Sequence, residues 1–437
     1  MTNIKNAPAP MQGFDLHKVK KALLLGTYRS TAAKGKCQEY LEELHRLCET
    51  FGILQTHPIA CPIKKFDAST YLGSGKVAEL AQLREELGYE LVILDDEISP
   101  HQQRNLEAVF KCPVIDRTEL IIEVFAQRAQ TREAKLQIEL AKIKYQVPRL
   151  RRLWTHLSRQ STGGGGFLKG EGEKQIEIDR RLLRRRIDIL KKEIEEVVAQ
   201  RHTQRLARMR SGIPTFAIIG YTNAGKSTLL KTMTHADVLV EDKLFATLDT
   251  TTRKFVLPNR QEILLIDTVG FIRKIPHTLV ASFKSTLEEA IHTDILIHLI
   301  DVSHPNAEEH AEATLEVVKE LGVTGHPIIT VLNKVDACQD PLIMTKLRLK
   351  YPHTIPISAL HSTGLEELVT VMIEELSRLR KVVNLRIPQS QYALVAELMK
   401  EGRVIFSDYE DNDVLLNIEI PARLEYKVAP FLFDSEL

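Results

Sequence analysis

Cysteine is scarce in this chain of 437 residues. Cys37, Cys48, Cys61, Cys112 and Cys338 stand far apart, odd in number and with no C-x-x-C pair. That excludes a disulfide framework and a cysteine-based zinc site, and it reads as reduced thiols in a core. Aromatic residues make up only 6%, with a single tryptophan, Trp154. Glycine (21) and proline (18) form no repeat, which excludes a collagen-like or low-complexity chain. No run approaches the roughly 18 apolar residues of a membrane-spanning helix. The first residues, Met1 to Lys20, lack the apolar core of a secretion signal. The expectation is a soluble, cytoplasmic protein. At 43% hydrophobic it is long enough for about three domains of roughly 150 residues each.

Net charge of one sign is missing as well: 59 Lys+Arg face 58 Asp+Glu, a balance of +1. The balance hides a segregation. Between Arg149 and Arg210 stand 17 Lys+Arg and 8 Asp+Glu, a surplus of +9 that leaves −8 for the rest. Charge divided this way points to one basic surface for a polyanion on an acidic body, although a solvated helix face would read the same.

Residues 1–115 alternate β-rich runs (22–26, 90–97, 112–116) with helical patterns near 36–51 and 101–110, which predicts a small α/β domain with a mostly parallel sheet. Within it, Gly73-Ser74-Gly75-Lys76 is a thin phosphate signal and reads better as a turn. Residues 116–212 predict a helical hairpin. One long helix over 118–147 carries Leu136, Leu140, Ile143 and Val147 and is stopped by Pro148. A second, from about 175 to 209, carries Ile176, Leu183, Ile187, Leu190, Ile194 and Val197, and the matching stripes predict an antiparallel pair. The tip between them holds Gly163 to Gly166 and is approached by Arg149, Arg151, Arg152 and Arg159 around Trp154. From 213 to 380 strand–loop–helix units alternate. A β-α-β-β-like segment, 381–437, closes the chain as a small α+β domain without a readable motif.

The chemistry is concentrated in the third region. Gly220-Tyr221-Thr222-Asn223-Ala224-Gly225-Lys226-Ser227 follows an apolar strand and opens a helix, the setting that a phosphate loop requires. Its backbone N–H groups can curl around phosphate oxygens, Lys226 can reach the β and γ phosphates, and the Ser227 hydroxyl can ligate Mg²⁺. Asp267-Thr268-Val269-Gly270 then ends the strand 262–266, where a carboxylate can hold Mg²⁺ through water and the Gly270 N–H can sense the γ-phosphate. Asn333-Lys334-Val335-Asp336 follows. The Asp336 carboxylate suits the two donors of guanine and would be stranded by adenine. Lys334 would lie along the base, and Asn333 would brace the loop. Ser358-Ala359-Leu360 offers a backbone N–H to the guanine carbonyl. Between these elements lies Phe245-Ala246-Thr247-Leu248-Asp249, where Thr247 is the expected second Mg²⁺ ligand, in competition with Thr250, Thr251 and Thr252. The residue after Gly270 is Phe271, where Ras-type enzymes carry a water-orienting glutamine. No catalytic side chain is therefore assigned. Slow intrinsic turnover is expected, completed by a partner or by K⁺ held at Asn223.

On these residues the chain resembles the HflX-type GTPases of the Obg–HflX superfamily. The resemblance takes in Tyr71–Lys76, Arg152–Arg159, Gly220–Ser227, Phe245–Asp249, Asp267–Phe271 and Asn333–Asp336. It implies a monomeric P-loop GTPase, preceded by the α/β domain with its hairpin, which binds GTP and GDP with Mg²⁺. It further implies a factor that binds the large (50S) ribosomal subunit and its rRNA, linked to splitting or rescuing stalled ribosomes under stress. Arg151, Arg152, Arg159 and Lys169 are then the expected RNA contacts. The chain departs from the family's usual loop with Lys169 for arginine and Glu171 for proline, and from its switch at Thr250, where proline is usual. Two other readings stand beside this one: a GTP-dependent signalling module acting on a protein, and an NTP-driven RNA remodeller using Gly73–Lys76.

Overall fold

The computed structural model describes residues 15–150, 171–210, 213–235, 244–245, 250–274, 293–323, 325–351, 353–421 and 424–433. They fall into two compact units. The first holds the described residues up to Ile194 with Leu244, Phe245 and Lys274, and the second holds the others.

The first unit is built on four parallel strands, β1 (Lys21–Tyr28), β2 (Gln55–Pro62), β3 (Leu91–Leu94) and β4 (Val114–Asp116), in the order β2-β1-β3-β4. Helices α1 (Ala33–Phe51), α2 (Ser74–Leu87) and α3 (Pro100–Phe110) connect them. Ala22 to Leu25 and Leu91 to Leu94 are buried without alternation, as strands covered on both faces require. β2 is absent from the strands expected from sequence because Pro58 and Pro62 interrupt it. It lies at the sheet edge, where a missing N–H is tolerated.

The single helix expected over 118–147 is two: α4 (Arg117–Arg128) and α5 (Arg132–Gln146). Ala129 is extended and the Thr131 hydroxyl accepts the Ala134 N–H at 3.2 Å, so a cap restarts the helix. Pro148 follows in a 3₁₀ turn, Val147–Arg149. The second helix of the expected pair, α6, runs over Glu171–Arg210. Its predicted stripe is its least exposed side: Leu190 is fully buried, and Leu183, Ile187, Ile194 and Val197 are half-buried. The Arg186 guanidinium grips Glu139 of α5 through two bonds of 2.8 and 3.0 Å.

Arg149, expected on the basic approach to the hairpin tip, is instead a core residue. Its guanidinium donates to Gln103 Oε1 at 3.0 Å and Ile98 O at 2.7 Å, pairs with Asp116 at 3.3 Å and covers the Tyr145 ring. A buried acid needs such a partner. Burial still pushes the Asp116 carboxyl up to about 6, against the opposing pull of Arg149.

The second unit holds a six-stranded sheet of β5 (Thr215–Gly220), β6 (Thr251–Val256), β7 (Glu262–Asp267), β8 (Ile295–Asp301), β9 (Ile328–Asn333) and β10 (Thr354–Pro356). The order is β10-β9-β8-β5-β7-β6. All neighbours are parallel except β6, which forms a hairpin with β7. Helices α7 (Lys226–Thr234), α8 (Ala307–Glu320), α9 (Pro341–Lys350) and α10 (Leu365–Leu379) alternate with the strands. This is the doubly wound α/β arrangement, whose ligands sit at the carboxyl ends of the strands. A third sheet, β11 (Arg380–Pro388), β12 (Arg403–Glu410) and β13 (Asp413–Pro421), is antiparallel with β13 central. With α11 (Tyr392–Glu401) it closes a core that includes Leu385, Ile387, Val395, Leu398, Leu416 and Ile418. That is the β-α-β-β segment read from the pattern.

All five cysteines are free thiols. Cys37, Cys48, Cys61 and Cys112 are buried, whereas Cys338 is half-exposed. Burial pushes the Cys61 and Cys112 thiols up to about 11, and that of Cys48 higher still. Among the described residues no helix is long and apolar enough to cross a membrane.

Candidate functional site

The predicted motifs of the second unit meet at the carboxyl ends of β5, β7, β9 and β10. β5 delivers the loop Gly220–Ser227, which turns through Asn223 (φ 59°) and Gly225 (φ 95°) into α7. A side chain at 225 could not be accommodated: its Cβ would stand 2.3 Å from Asn333 Nδ2. A Cβ on Gly270 would likewise approach Thr222 Cα at 2.9 Å and Lys226 Nζ at 3.0 Å. The glycines thus bring the segment after β7 against the phosphate loop.

Lys226 is buried and donates from Nζ to Gly220 O at 3.1 Å and Tyr221 O at 2.9 Å. Burial pulls its ammonium down to about 8, with Asp267 opposing. The Ser227 hydroxyl donates to Asp267 Oδ2 at 2.6 Å. This all-oxygen hydroxyl–carboxylate pair fits a hard cation such as Mg²⁺. Thr268 is buried and its hydroxyl donates to Ile218 O at 2.7 Å, fixing the end of β7 to β5. Val269 is buried beside it.

Asn333 joins three motifs, as expected for a brace. Its Nδ2 donates to Ala224 O at 2.8 Å and its Oδ1 accepts the Ala359 N–H at 3.0 Å. Lys334 adopts φ 63°, and its ammonium stands 2.7 Å from Asp301 Oδ2 at the end of β8. Asp301 is a residue that sequence reasoning missed, and its place after an apolar strand is the only signal for it. The Val335 N–H donates to Ile357 O at 3.3 Å, tying this turn to β10. The Ser358 hydroxyl holds the Asp336 carboxyl below the usual carboxylate range. His361 Nε2 lies 3.7 Å from Asp336 Oδ2. The Ser358–Thr363 backbone pair, 3.1 Å each way, closes the loop and leaves Leu360 exposed at its surface.

The segment that follows Gly270 is bound to the phosphate loop. Thr222 N–H donates to Phe271 O at 2.6 Å and Phe271 N–H to Gly220 O at 3.1 Å. Phe271 is fully buried, so its ring faces protein rather than water.

Phe245, described in the first unit, is buried edge-on against Phe125, with centroids 4.4 Å apart. Ala246, Thr247, Leu248 and Asp249 lie outside the described residues, as do Arg151, Arg152, Arg159 and Lys169. The first unit's Gly73–Lys76 forms the turn that opens α2: Gly73 is its N-cap, and the Lys76 ammonium pairs with Glu79 at 2.7 Å.

Three family models match: "GTP-binding GTPase N-terminal" over residues 38–126, "GTP-binding GTPase Middle Region" over 128–208, and "50S ribosome-binding GTPase" over 215–334. The GTPase HflX of Chlamydia pneumoniae is 46% identical over 426 residues, 96% of this chain and 90% of that protein. The GTPase HflX of Akkermansia muciniphila is 44% identical, covering 95% of this chain and 98% of that protein. For the GTPase HflX of Escherichia coli K12 the identity is 40%, over 91% and 94% of the two chains.

Proposed function

The chain belongs to the HflX family of GTPases, and we propose that it acts on the large (50S) ribosomal subunit, using GTP to split or rescue stalled ribosomes under stress. GTP binds and is hydrolysed in the second unit. In this reading the phosphates take over the Lys226 ammonium from the carbonyls of Gly220 and Tyr221. A Mg²⁺ ion held there would supply charge neutralisation for the phosphoryl groups. Ser227 would be a direct ligand, Asp267 would hold it through water, and Thr247 would complete the shell. Asp336 would receive the two guanine donors, and a backbone N–H of the Ser358–Leu360 loop would meet the base carbonyl.

Phe271, buried where a glutamine would orient water, supplies no polar group, so turnover in isolation is slow. Completion by the ribosome, or by K⁺ at Asn223, follows from that. The RNA contacts would come from Arg151, Arg152, Arg159 and Lys169, continued by cations of α6 toward phosphate groups. The observation that carries the polyanion reading is the exposed row Arg181, Arg184, Arg185, Lys191 and Lys192 on α6, set in a chain that is acidic elsewhere.

The test is sedimentation of purified 50S subunits with the protein and a non-hydrolysable GTP analogue, compared with GDP. Co-migration with the analogue and release with GDP are expected. Equal binding in both states would overturn the proposal.

A further inference from the structure

A phosphate loop grips its ligand with backbone N–H groups, so the side chain at its second position owes the phosphates nothing. Here that side chain is tyrosine, larger than the loop needs, and it is put to use on the far side. The Tyr221 hydroxyl accepts the N–H of Arg273 at 2.8 Å, two residues beyond Phe271. Its ring lies flat on His310 of α8, with centroids 3.7 Å apart and planes within 2°. His310 in turn faces His304 at 4.4 Å, and the His304 Nδ1 accepts the Asn306 N–H at 3.1 Å. All of these residues belong to the second unit.

Main-chain bonds join loop and segment at Phe271, through Thr222 N–H and Gly220 O. Beyond Phe271 a side chain joins in: the Tyr221 hydroxyl ties Arg273 to the loop. The Phe271 ring is buried, so the polar groups of 270–273 are its main chain and the Arg273 guanidinium, and the placement of both depends on how 271–273 is held. We infer that Tyr221 is a positioning residue for GTP hydrolysis. Its hydroxyl anchors Arg273, and the stacked His310 fixes the ring, so that the main chain of 270–273 is held where a glutamine side chain acts in other GTPases. Tyr221 touches no reacting atom and acts through the backbone it holds. The inference rests on the GTPase reading alone and needs no ribosome.

The test is single-turnover GTP hydrolysis by the full chain in the absence of ribosomes, with GDP affinity measured alongside. Tyr221→Phe keeps the stack and removes the hydrogen-bond acceptor. Its hydrolysis rate should fall about tenfold, the scale of one lost hydrogen bond, while GDP affinity stays within about twofold. His310→Ala should act in the same direction, and His310→Phe, which restores a stacked ring, should recover most of the rate. Hydrogen exchange at the Arg273 amide should quicken in Tyr221→Phe. Unchanged hydrolysis in Tyr221→Phe would overturn the inference. So would a loss of GDP affinity as large as the loss of rate, because Tyr221 would then merely support the loop. Failure of 50S binding would leave both results standing, so the two proposals fail separately.

Discussion

Two glycine–lysine turns open helices in this protein, and they have different chemistry. Gly73-Ser74-Gly75-Lys76 opens α2 in the first unit, and Asn223-Ala224-Gly225-Lys226-Ser227 opens α7 in the second. In the first turn, a Cβ at Gly73 or Gly75 would meet nothing within 4 Å, and Lys76 spends its ammonium on Glu79. In the second, Gly225 is wedged against Asn333, and Lys226 is buried with its ammonium on loop carbonyls. A helix start with glycine and lysine is therefore common property. What makes one of them a phosphate site is the neighbouring strands, which supply Asn333, Asp267 and Gly270 around it.

Substituting the paired glycines breaks this comparison most sharply. Gly225→Ala puts a methyl group onto Asn333 at a left-handed φ, and nucleotide affinity should fall more than a hundredfold, about 3 kcal/mol. Gly75→Ala should leave nucleotide binding untouched and stabilise α2 by about 0.5–1 kcal/mol. Titration with a fluorescent GDP analogue and a thermal melt read the two effects. Equal losses in both variants would mean that the first turn also holds phosphate.

Next in size is Asp336→Asn, which in the proposed reading exchanges an acceptor for a donor opposite guanine. GTP affinity should drop roughly tenfold to a hundredfold, with xanthosine triphosphate preferred in its place. Competition binding with the two nucleotides checks it, and retained guanine preference would remove Asp336 from the base site.

The buried lysine gives a pH signature. Burial lowers its value from the usual 10.5 to about 8, so the fold holds the ammonium less readily than the unfolded chain does. Below about 8 the folded state carries the full cost of the buried charge. Raising the pH from 8 toward 10.5 relieves it, because the unfolded chain there holds more protons. The gain is on the order of 3 kcal/mol, at about 1.36 per unit. Urea midpoints of nucleotide-free protein at pH 8 and 10 should show a larger rise for the wild type than for Lys226→Met. Parallel curves would mean that the lysine is solvated. The smallest effect belongs to Lys76→Ala: GTP turnover within about twofold and stability within about 0.5 kcal/mol, as for a surface ion pair.

The nucleotide motifs were legible because each needs a fixed residue type at a fixed distance from a strand end. Gly220–Ser227, Asp267–Gly270, Asn333–Asp336 and Ser358–Leu360 do converge. Asp301 and the Tyr221–His310 stack were not legible, because their partners are far away in sequence and only the fold brings them together. Local composition misled in two places. Prolines concealed an edge strand in β2, and the apolar rhythm ran on across the Ala129–Thr131 break. Arg149 was misread for a different reason. A cation in a basic run looks solvated until an acid such as Asp116, more than thirty residues away, is seen buried beside it.

The thiols provide a practical opening. Four are shut inside the fold, while Cys338 is half-exposed just two residues past Asp336. A maleimide fluorophore offered to the folded wild-type chain should therefore react there first. It would sit two residues from Asp336 and, if that carboxylate reads the base as proposed, report nucleotide arrival and departure in real time, with no engineered residue.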